Sequence, residues 1–158
     1  MTTSTRQKIV FDCNTFAQAL ISPNGPAGAC ITLVQQGKFS LFLSNYVLQE
    51  IRELPAKIKP KYGVDDAKVE ALIHDLQKYA HFVTNVPSVD IHPIDPDDSH
   101  YIDLAVATES ELIASRDRHL LALMDETQKL GKEFKERFPT LAIITPEALI
   151  ERTRIQYQ

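Results

Sequence analysis

The stretch Lys8-Ile9-Val10-Phe11-Asp12 is an apolar run of strand length that ends at an aspartate. Four similar runs follow it, at residues 39–43, 82–86, 112–115 and 141–145. All of these runs are rich in Ile, Val, Leu or Phe, which is typical of parallel strands buried on both faces. Amphipathic segments alternate with them. The pattern therefore predicts an α/β fold with one parallel sheet covered by helices on both faces.

Helix start and stop signals bound the segments between the strands. Proline, serine, asparagine or aspartate stands near the start of each, and glycine or proline follows two of them. The predicted helices cover residues 27–36, 46–54, 65–79 and 99–108, and a last helix begins at Pro146. Residues 22–28, 56–64 and 87–96 read as surface loops rather than linkers between domains.

The bulk properties predict one ordinary globular domain. A chain of 158 residues suits a single core. We expect a disordered lead-in over residues 1–7, the domain over residues 8–152 and a tail over residues 153–158. The net charge of -4 gives no general argument for nucleic-acid binding.

Cysteine use and hydropathy bear on the compartment. Cys13 and Cys30 form no recognisable zinc or disulfide pattern, which fits a reducing cytosol. No segment approaches the roughly 20 apolar residues of a membrane span. We therefore expect a cytoplasmic protein without a membrane partner.

Four acidic residues are predicted to meet at one edge of the sheet. Asp12 closes the first strand, Asp117 follows the fourth, and Glu50 and Asp98 lie near the starts of helices. Functional groups of open parallel sheets gather beyond the carboxyl ends of the strands. Carboxylates that meet there repel one another unless a cation joins them, and hard divalent cations prefer such ligands. This pattern indicates a metal-dependent nuclease.

Each acid also has an ordinary structural interpretation. Asp12 and Asp117 could cap the helices that follow them. Glu50 could be half of a surface ion pair, and Asp98 could be a favourable charge at a helix N-terminus.

Two neighbouring polar residues could assist the acids. Asn14 could hydrogen-bond Asp12 or a water on a metal ion, or it could be a turn residue. Ser115 could orient Asp117 or the attacking water.

In these segments the chain resembles the PIN domain family, and the order and spacing match from about residue 8 to residue 150. The most similar group is that of bacterial PIN proteins described as toxin components, related to VapC-type toxins. The resemblance implies a five-stranded parallel sheet in the order 3-2-1-4-5. It also implies a Mg²⁺- or Mn²⁺-dependent ribonuclease that is often dimeric and often neutralised by a partner antitoxin. The segments that carry it are Ile9-Val10-Phe11-Asp12-Cys13-Asn14-Thr15, Leu48-Gln49-Glu50-Ile51, Asp95-Pro96-Asp97-Asp98-Ser99-His100-Tyr101-Ile102-Asp103-Leu104-Ala105 and Leu112-Ile113-Ala114-Ser115-Arg116-Asp117.

The family's site residues carry over onto this chain. Ser115 matches a small hydroxyl residue that is more often threonine, and Cys13 replaces the usual threonine or small residue. Asp97 could replace Asp98 as a ligand if the helix is shifted by one residue. The implied metal ligands are Asp12, Glu50, Asp98 and Asp117, and the implied catalytic set adds Ser115 and Asn14.

The hypothesis is an endoribonuclease whose products carry 5′-phosphate and 3′-hydroxyl ends. A metal ion makes water a better nucleophile near neutral pH. Binding of RNA needs positive charge outside the acidic centre. The candidate residues, which could equally be ordinary solvated surface, are Arg116, Arg118, Lys59 and Lys61, with stacking from Tyr62.

Other functions are weighed against this one. An aspartyl phosphatase needs a second aspartate two residues after the first, where this chain has Asn14. Receiver domains usually have paired acids at the first strand and a lysine at the last. A non-catalytic interaction or RNA-binding module remains the alternative. A homodimer through residues 46–54 or 65–79 is also expected.

Overall fold

The sheet has five parallel strands in the order β3-β2-β1-β4-β5. The structure is a computed structural model that describes residues 6–91 and 94–156, with side chains up to residue 154. The prediction of an α/β fold with this strand order is confirmed. The strands are β1 (Gln7–Phe11), β2 (Phe39–Ser44), β3 (His81–Val83), β4 (Leu112–Ala114) and β5 (Ala142–Ile144).

The two central strands are buried on both faces. Ile9, Val10 and Phe11 of β1 have no exposed surface, and all residues of β4 are at most 1% exposed. Because consecutive side chains of a strand point to opposite faces, both faces must be covered. The edge strand β3 differs from the prediction, since His81 and Phe82 are exposed. Within the described part of the chain β3 pairs with β2 alone, so it forms an edge of the sheet.

Helices surround the sheet. Among them, α6 packs against β1, β2 and β4, while α2 and α9 pack against each other. In the described part of the chain the helices are α1 (Cys13–Ile21), α2 (Pro26–Gln35), α3 (Asn45–Arg52), α4 (Leu54–Lys57), α5 (Asp66–Tyr79), α6 (Pro96–Ala107), α7 (Arg118–Leu121), α8 (Lys129–Arg137) and α9 (Pro146–Gln156).

Two helices differ from the prediction in ways that affect the site. The helix expected over residues 99–108 already begins at Pro96, because the Asp95 side chain accepts a hydrogen bond from the Asp97 N–H at 2.9 Å. The helix expected over residues 46–54 ends at Arg52, and α4 follows with Pro55 in its first turn.

The sequence analysis did not predict α8. Its sequence is mostly charged and contains Gly131, which weakens a helical pattern. Gly131 is required because a Cβ atom at this position would lie 1.9 Å from the Asp125 carbonyl oxygen.

The first strand begins before the predicted start of the domain, and the last helix continues past its predicted end. Strand β1 already includes Gln7, and α9 continues to Gln156, so most of the tail predicted over residues 153–158 is helical. Residues 1–5 of the predicted lead-in and residues 157–158 lie outside the described residues. No helix within residues 6–91 and 94–156 has the length and apolar character needed to cross a membrane.

Candidate functional site

The centre of the sheet is its topological switch point. The chain runs from β1 to β2 and β3 on one side, while β4 and β5 lie on the other. Open parallel sheets bind ligands in the crevice that forms at such a point, beyond the carboxyl ends of the strands. Asp12 directly follows β1, and its N–H donates to the Ala114 carbonyl at the end of β4. Asp117 follows β4 after two further residues.

The Asp12 carboxylate is buried and firmly held. Its Oδ1 accepts hydrogen bonds from the Thr15 N–H at 2.9 Å and the Thr15 hydroxyl at 2.7 Å. Its Oδ2 accepts one from the Ser115 hydroxyl at 2.5 Å. Asp12 is therefore the N-cap of α1, which is the structural role that the sequence analysis gives as the alternative to metal binding. The hydrogen bonds come from Thr15 and Ser115 rather than from Asn14, which is exposed in the first turn of α1.

Burial makes the charge on Asp12 costly. Asp12 is 4% exposed. Burial raises the pKa of this carboxyl, and the charge of Asp117 raises it further, whereas the hydrogen bonds from Ser115 and Thr15 lower it. A bound cation would stabilise the ionised form, because an opposite charge nearby favours ionisation.

Ser115 connects Asp12 to Asp117. The Ser115 side chain is fully buried, and its Oγ accepts a hydrogen bond from the Asp117 N–H at 2.9 Å. Asp117 caps α7, because its Oδ1 accepts from the N–H groups of His119 and Leu120 at 2.7 and 3.2 Å. The two caps and the serine fix the positions of two of the four predicted acids relative to each other.

Asp98 belongs to the same electrostatic group. It lies in the first turn of α6. Burial raises the pKa of the Asp98 carboxyl, and the charges of Asp117, Asp95 and Asp97 raise it further, while His119 lowers it. Asp97 is exposed and lines a cavity next to α3, which Glu50 also lines. The effect of the Asp117 charge on the pKa of Asp98 is the observation that groups these two residues.

Glu50 is linked to the site through Tyr101. The Tyr101 hydroxyl donates to Glu50 Oε1 at 2.8 Å and accepts from the Cys13 N–H at 3.0 Å. Burial raises the pKa of Tyr101, and the charge of Glu50 raises it further, so the phenol stays a donor. Since Cys13 follows Asp12, this hydroxyl joins α3 to the end of β1.

His100 completes the surroundings of Glu50. Its Nε2 lies 2.9 Å from Glu50 Oε1, which is an ion-pair distance when the imidazole is protonated. The direction is not that of a hydrogen bond, and in the described part of the chain both ring nitrogens lack hydrogen-bond partners. The sequence analysis did not single out His100, Tyr101 or Thr15. The available signals were polar aromatics on the buried face of α6 and a threonine three residues after a capping aspartate.

The donor set suits a hard divalent cation in its chemistry, because its four predicted members are all carboxylates. Burial raises the pKa values of Asp12 and Asp98, and the charge of Asp117 raises both further, so a nearby cation would stabilise their ionised forms. As the side chains lie, however, no three His, Cys, Asp or Glu residues within 6–91 and 94–156 are placed to hold a metal ion. Glu50 instead contacts His100 and Tyr101.

The predicted substrate cations fall into two groups. Arg116 and Arg118 lie on either side of Asp117 in the chain, and Arg116 forms an ion pair with Glu147. Arg118 is exposed in α7. Lys59 and Lys61 are exposed on the segment between α4 and α5, where the Lys61 ammonium lies 5.2 Å from the centre of the Tyr62 ring.

Comparison with known proteins agrees with this architecture. The chain is 28% identical over 147 residues to the uncharacterized protein MJ1680 of Methanocaldococcus jannaschii, which covers 91% of this chain and 90% of that protein. The fold of the present chain is similar to that of a chain in the crystal structure of VapBC2 from Rickettsia felis bound to a DNA fragment from their promoter. That match has a TM-score of 0.55 at 11% identity and covers 86% of this chain and 96% of the other. The family model described as "PIN domain" matches residues 8–119 of the 158. The chain therefore belongs to the PIN domain family.

Proposed function

We propose that this protein is a Mg²⁺- or Mn²⁺-dependent endoribonuclease that hydrolyses RNA to 5′-phosphate and 3′-hydroxyl ends. The observation that carries the proposal is that the charge of Asp117, beside the switch point, raises the pKa of both Asp12 and Asp98 in addition to the effect of their burial. PIN domains are generally nucleases, and PIN nucleases generally use divalent metal ions.

In the proposed reaction Asp12, Glu50, Asp98 and Asp117 would hold the metal. When bound, the cation supplies Lewis acidity toward water and toward the scissile phosphate. Ser115 keeps Asp12 and Asp117 in a fixed relation through its two hydrogen bonds. Tyr101 holds Glu50 through its hydroxyl.

Binding of the substrate backbone is assigned to cations outside the acidic centre. Arg118 is free to reach phosphates from the exposed surface of α7, and Arg116 can do so by exchanging its exposed partner Glu147. Lys59 and Lys61 extend the positive surface beyond α4. Asn14, exposed beside Asp12, is assigned to water or substrate contact.

We further propose that the protein is the toxin of a toxin–antitoxin pair and acts as a cytoplasmic homodimer. The fold similarity to a chain of the VapBC2 structure supports a protein antitoxin as partner. Both cysteines are free, which agrees with a reducing compartment. Sedimentation of the purified chain, alone and with the protein encoded beside it, tests the dimer and the antitoxin.

A non-catalytic PIN-like interaction or RNA-binding module is the second candidate. It is favoured by the helix-capping roles of Asp12 and Asp117, which give both carboxylates a structural purpose without metal. In that case RNA would bind but stay intact, and metal would not change the stability of the protein.

Mapping of RNA ends separates the two candidates. Single-stranded RNA is incubated with Mn²⁺ and wild type, Asp117→Asn or the matched control Asp75→Asn, which changes a half-exposed acid on α5. We expect 5′-phosphate and 3′-hydroxyl fragments from wild type and from Asp75→Asn, and intact RNA with Asp117→Asn or with chelator. Equal cleavage by all three proteins, or none by wild type, would contradict the proposal.

A further inference from the structure

A tyrosine ring stands exposed beside the candidate site. Tyr46 is 72% exposed, more than the other exposed large hydrophobic residues in the described ranges, Tyr62 at 45% and Phe82 at 40%. It lies in the first turn of α3, and Glu50 follows four residues later on the same face of this helix. Because the Tyr46 ring is mostly exposed, packing in the hydrophobic core does not explain why a large aromatic side chain stands at this position.

The orientation of this ring is fixed from one side. The Tyr46 and His100 rings are stacked, with centroids 5.6 Å apart and planes inclined by 27°. His100 is itself 9% exposed and lies 3.9 Å from the Tyr101 ring. Tyr46 is therefore the outer member of an aromatic cluster: its ring is stacked on His100, and His100 is tilted by 40° against Tyr101, whose hydroxyl donates a hydrogen bond to Glu50. Its high exposure leaves the opposite ring face open to solvent.

The charges around the ring select what can bind there. Tyr46 borders a cavity of about 750 Å³ that is lined by residues of α3, α4 and α6 and by residues within 86–91 and 94. Among the described residues that line it, carboxylates outnumber cations, because Lys57 is accompanied by Glu50, Glu53, Asp90, Asp97 and Asp103. A phosphate is disfavoured in such a cavity, whereas an uncharged aromatic group is not. Nucleobases are uncharged, and every one of them has a face that can stack on an aromatic side chain.

We propose that Tyr46, backed by His100, stacks an unpaired base of single-stranded RNA beside the candidate catalytic acids. This inference rests on the proposed ribonuclease function and adds the residue that would hold a base of the substrate. A base inside a duplex is already stacked on both faces, so RNA must be single-stranded where it meets Tyr46. The backbone would then lead away from the acidic cavity, toward the switch point and the exposed cations beyond it.

The absence of tryptophan from this chain allows a direct test. Tyr46→Trp introduces a single tryptophan at the proposed stacking position, and Phe82→Trp places one at an exposed ring of the edge strand β3 as the matched control. Both changes are made together with Asp117→Asn, so that the RNA stays intact. Binding of a short labelled single-stranded RNA is followed by the anisotropy of its label and, separately, by tryptophan emission.

We expect RNA to quench the emission of Tyr46→Trp in step with the anisotropy and to leave the emission of Phe82→Trp nearly unchanged. Loss of one stacked base should weaken binding by Tyr46→Ala about 5- to 150-fold, whereas Tyr46→Phe should bind within about twofold of the parent. A duplex of the same sequence should not quench Tyr46→Trp. The melting temperatures of these variants should be similar, because the ring is exposed.

The outcomes separate this inference from the proposed function. RNA binding without quenching of Tyr46→Trp, together with unchanged affinity of Tyr46→Ala, would overturn the stacking role while the ribonuclease proposal stands. If the parent protein neither binds nor cleaves RNA, both fall. Emission of Tyr46→Trp that shifts with protein concentration in the absence of RNA would place the ring at a protein–protein interface and would also overturn the inference.

Discussion

Ser115 is the residue on which the geometry of the acidic centre depends most directly. It has no exposed surface, it donates to Asp12 Oδ2, and it accepts from the Asp117 N–H. Removing a buried hydroxyl leaves its partners unsatisfied, which typically costs about 1–3 kcal/mol. Two candidate ligands would lose their common support at the same time.

Ser115→Ala should therefore lower the free energy of unfolding by about 1–3 kcal/mol and reduce RNA cleavage more strongly than stability alone explains. The matched control is Ser110→Ala, because Ser110 is also buried but its hydroxyl interacts with Thr108. Chemical denaturation and cleavage rates are measured on both variants. Equal cleavage by the two variants at equal stability would remove Ser115 from the site.

The raised pKa of Asp12 predicts how the free energy of unfolding changes with pH in metal-free buffer. Burial raises the pKa of this carboxyl above its ordinary value of 3.8, so the folded protein binds the proton more tightly than the unfolded chain. The resulting stabilisation is complete below the unfolded pKa and is lost as pH rises through the folded pKa. The free energy of unfolding should thus fall as pH rises from about 4 toward neutrality.

In Asp12→Asn the free energy of unfolding should fall less steeply with rising pH, because the carboxyl group that titrates has been removed. Denaturation midpoints at pH 4 to 7 in the presence of chelator measure the slope. Asp98, whose pKa is also raised, should leave a residual slope in this variant. A slope in Asp12→Asn as steep as in wild type would show that burial of Asp12 does not determine it.

At the level of single residues, the sequence indicates the four acids but not the side chains that contact them. Asp12 and Asp117 stand out because each directly follows an apolar run or its short extension. Tyr101 and His100 contact Glu50 from a helix that is 50 residues away in the chain. No local pattern indicates such a contact, because it arises only when α3 and α6 are placed over the same edge of the sheet.

Among the elements, α6 determines which acid enters the site. Its start at Pro96, with Asp95 as cap, puts both Asp97 and Asp98 in its first turn. Asp98 is half-buried and near the charge of Asp117, whereas Asp97 is exposed. The two residues therefore form a matched pair of positions for substitution.

Asp98→Asn should raise the melting temperature in chelator, because it removes a half-buried charge that other carboxylates repel. Asp97→Asn should change it little, since surface substitutions usually stay within about 0.5 kcal/mol. Thermal melting of both variants without metal provides the comparison. If Asp97→Asn raised the melting temperature and Asp98→Asn did not, Asp97 rather than Asp98 would be the residue whose charge the other carboxylates repel.

The elements themselves were predictable to different degrees. The five strands were found within a few residues, because short apolar runs between polar segments are a strong signal. The start of α6 was placed too late, although Pro96 at a first helical position is a recognised signal. Helix α8 was missed because it is largely charged and interrupted by Gly131.

At the scale of the whole molecule, the site is a product of topology. Asp12 and Asp117 are far apart in sequence and become neighbours because β1 and β4 pair at the centre of the sheet. Periodicity predicted the parallel sheet, whereas the strand order 3-2-1-4-5 came from the resemblance to PIN domains. Composition could not have located the site, because a net charge of -4 is spread over the whole chain.

The measurement that bears most directly on the proposed site is a Mn²⁺ titration followed by thermal melting. It is made on wild type, Asp12→Asn, Asp98→Asn, Asp117→Asn and the control Asp75→Asn. A ligand at 100 times its Kd stabilises the folded state by about 2.7 kcal/mol, which corresponds to about 5–10 °C for a domain of this size. Wild type and Asp75→Asn should show this rise, and it should shrink in the other three variants. No rise in wild type, or an undiminished rise in all three, would contradict a shared carboxylate metal site.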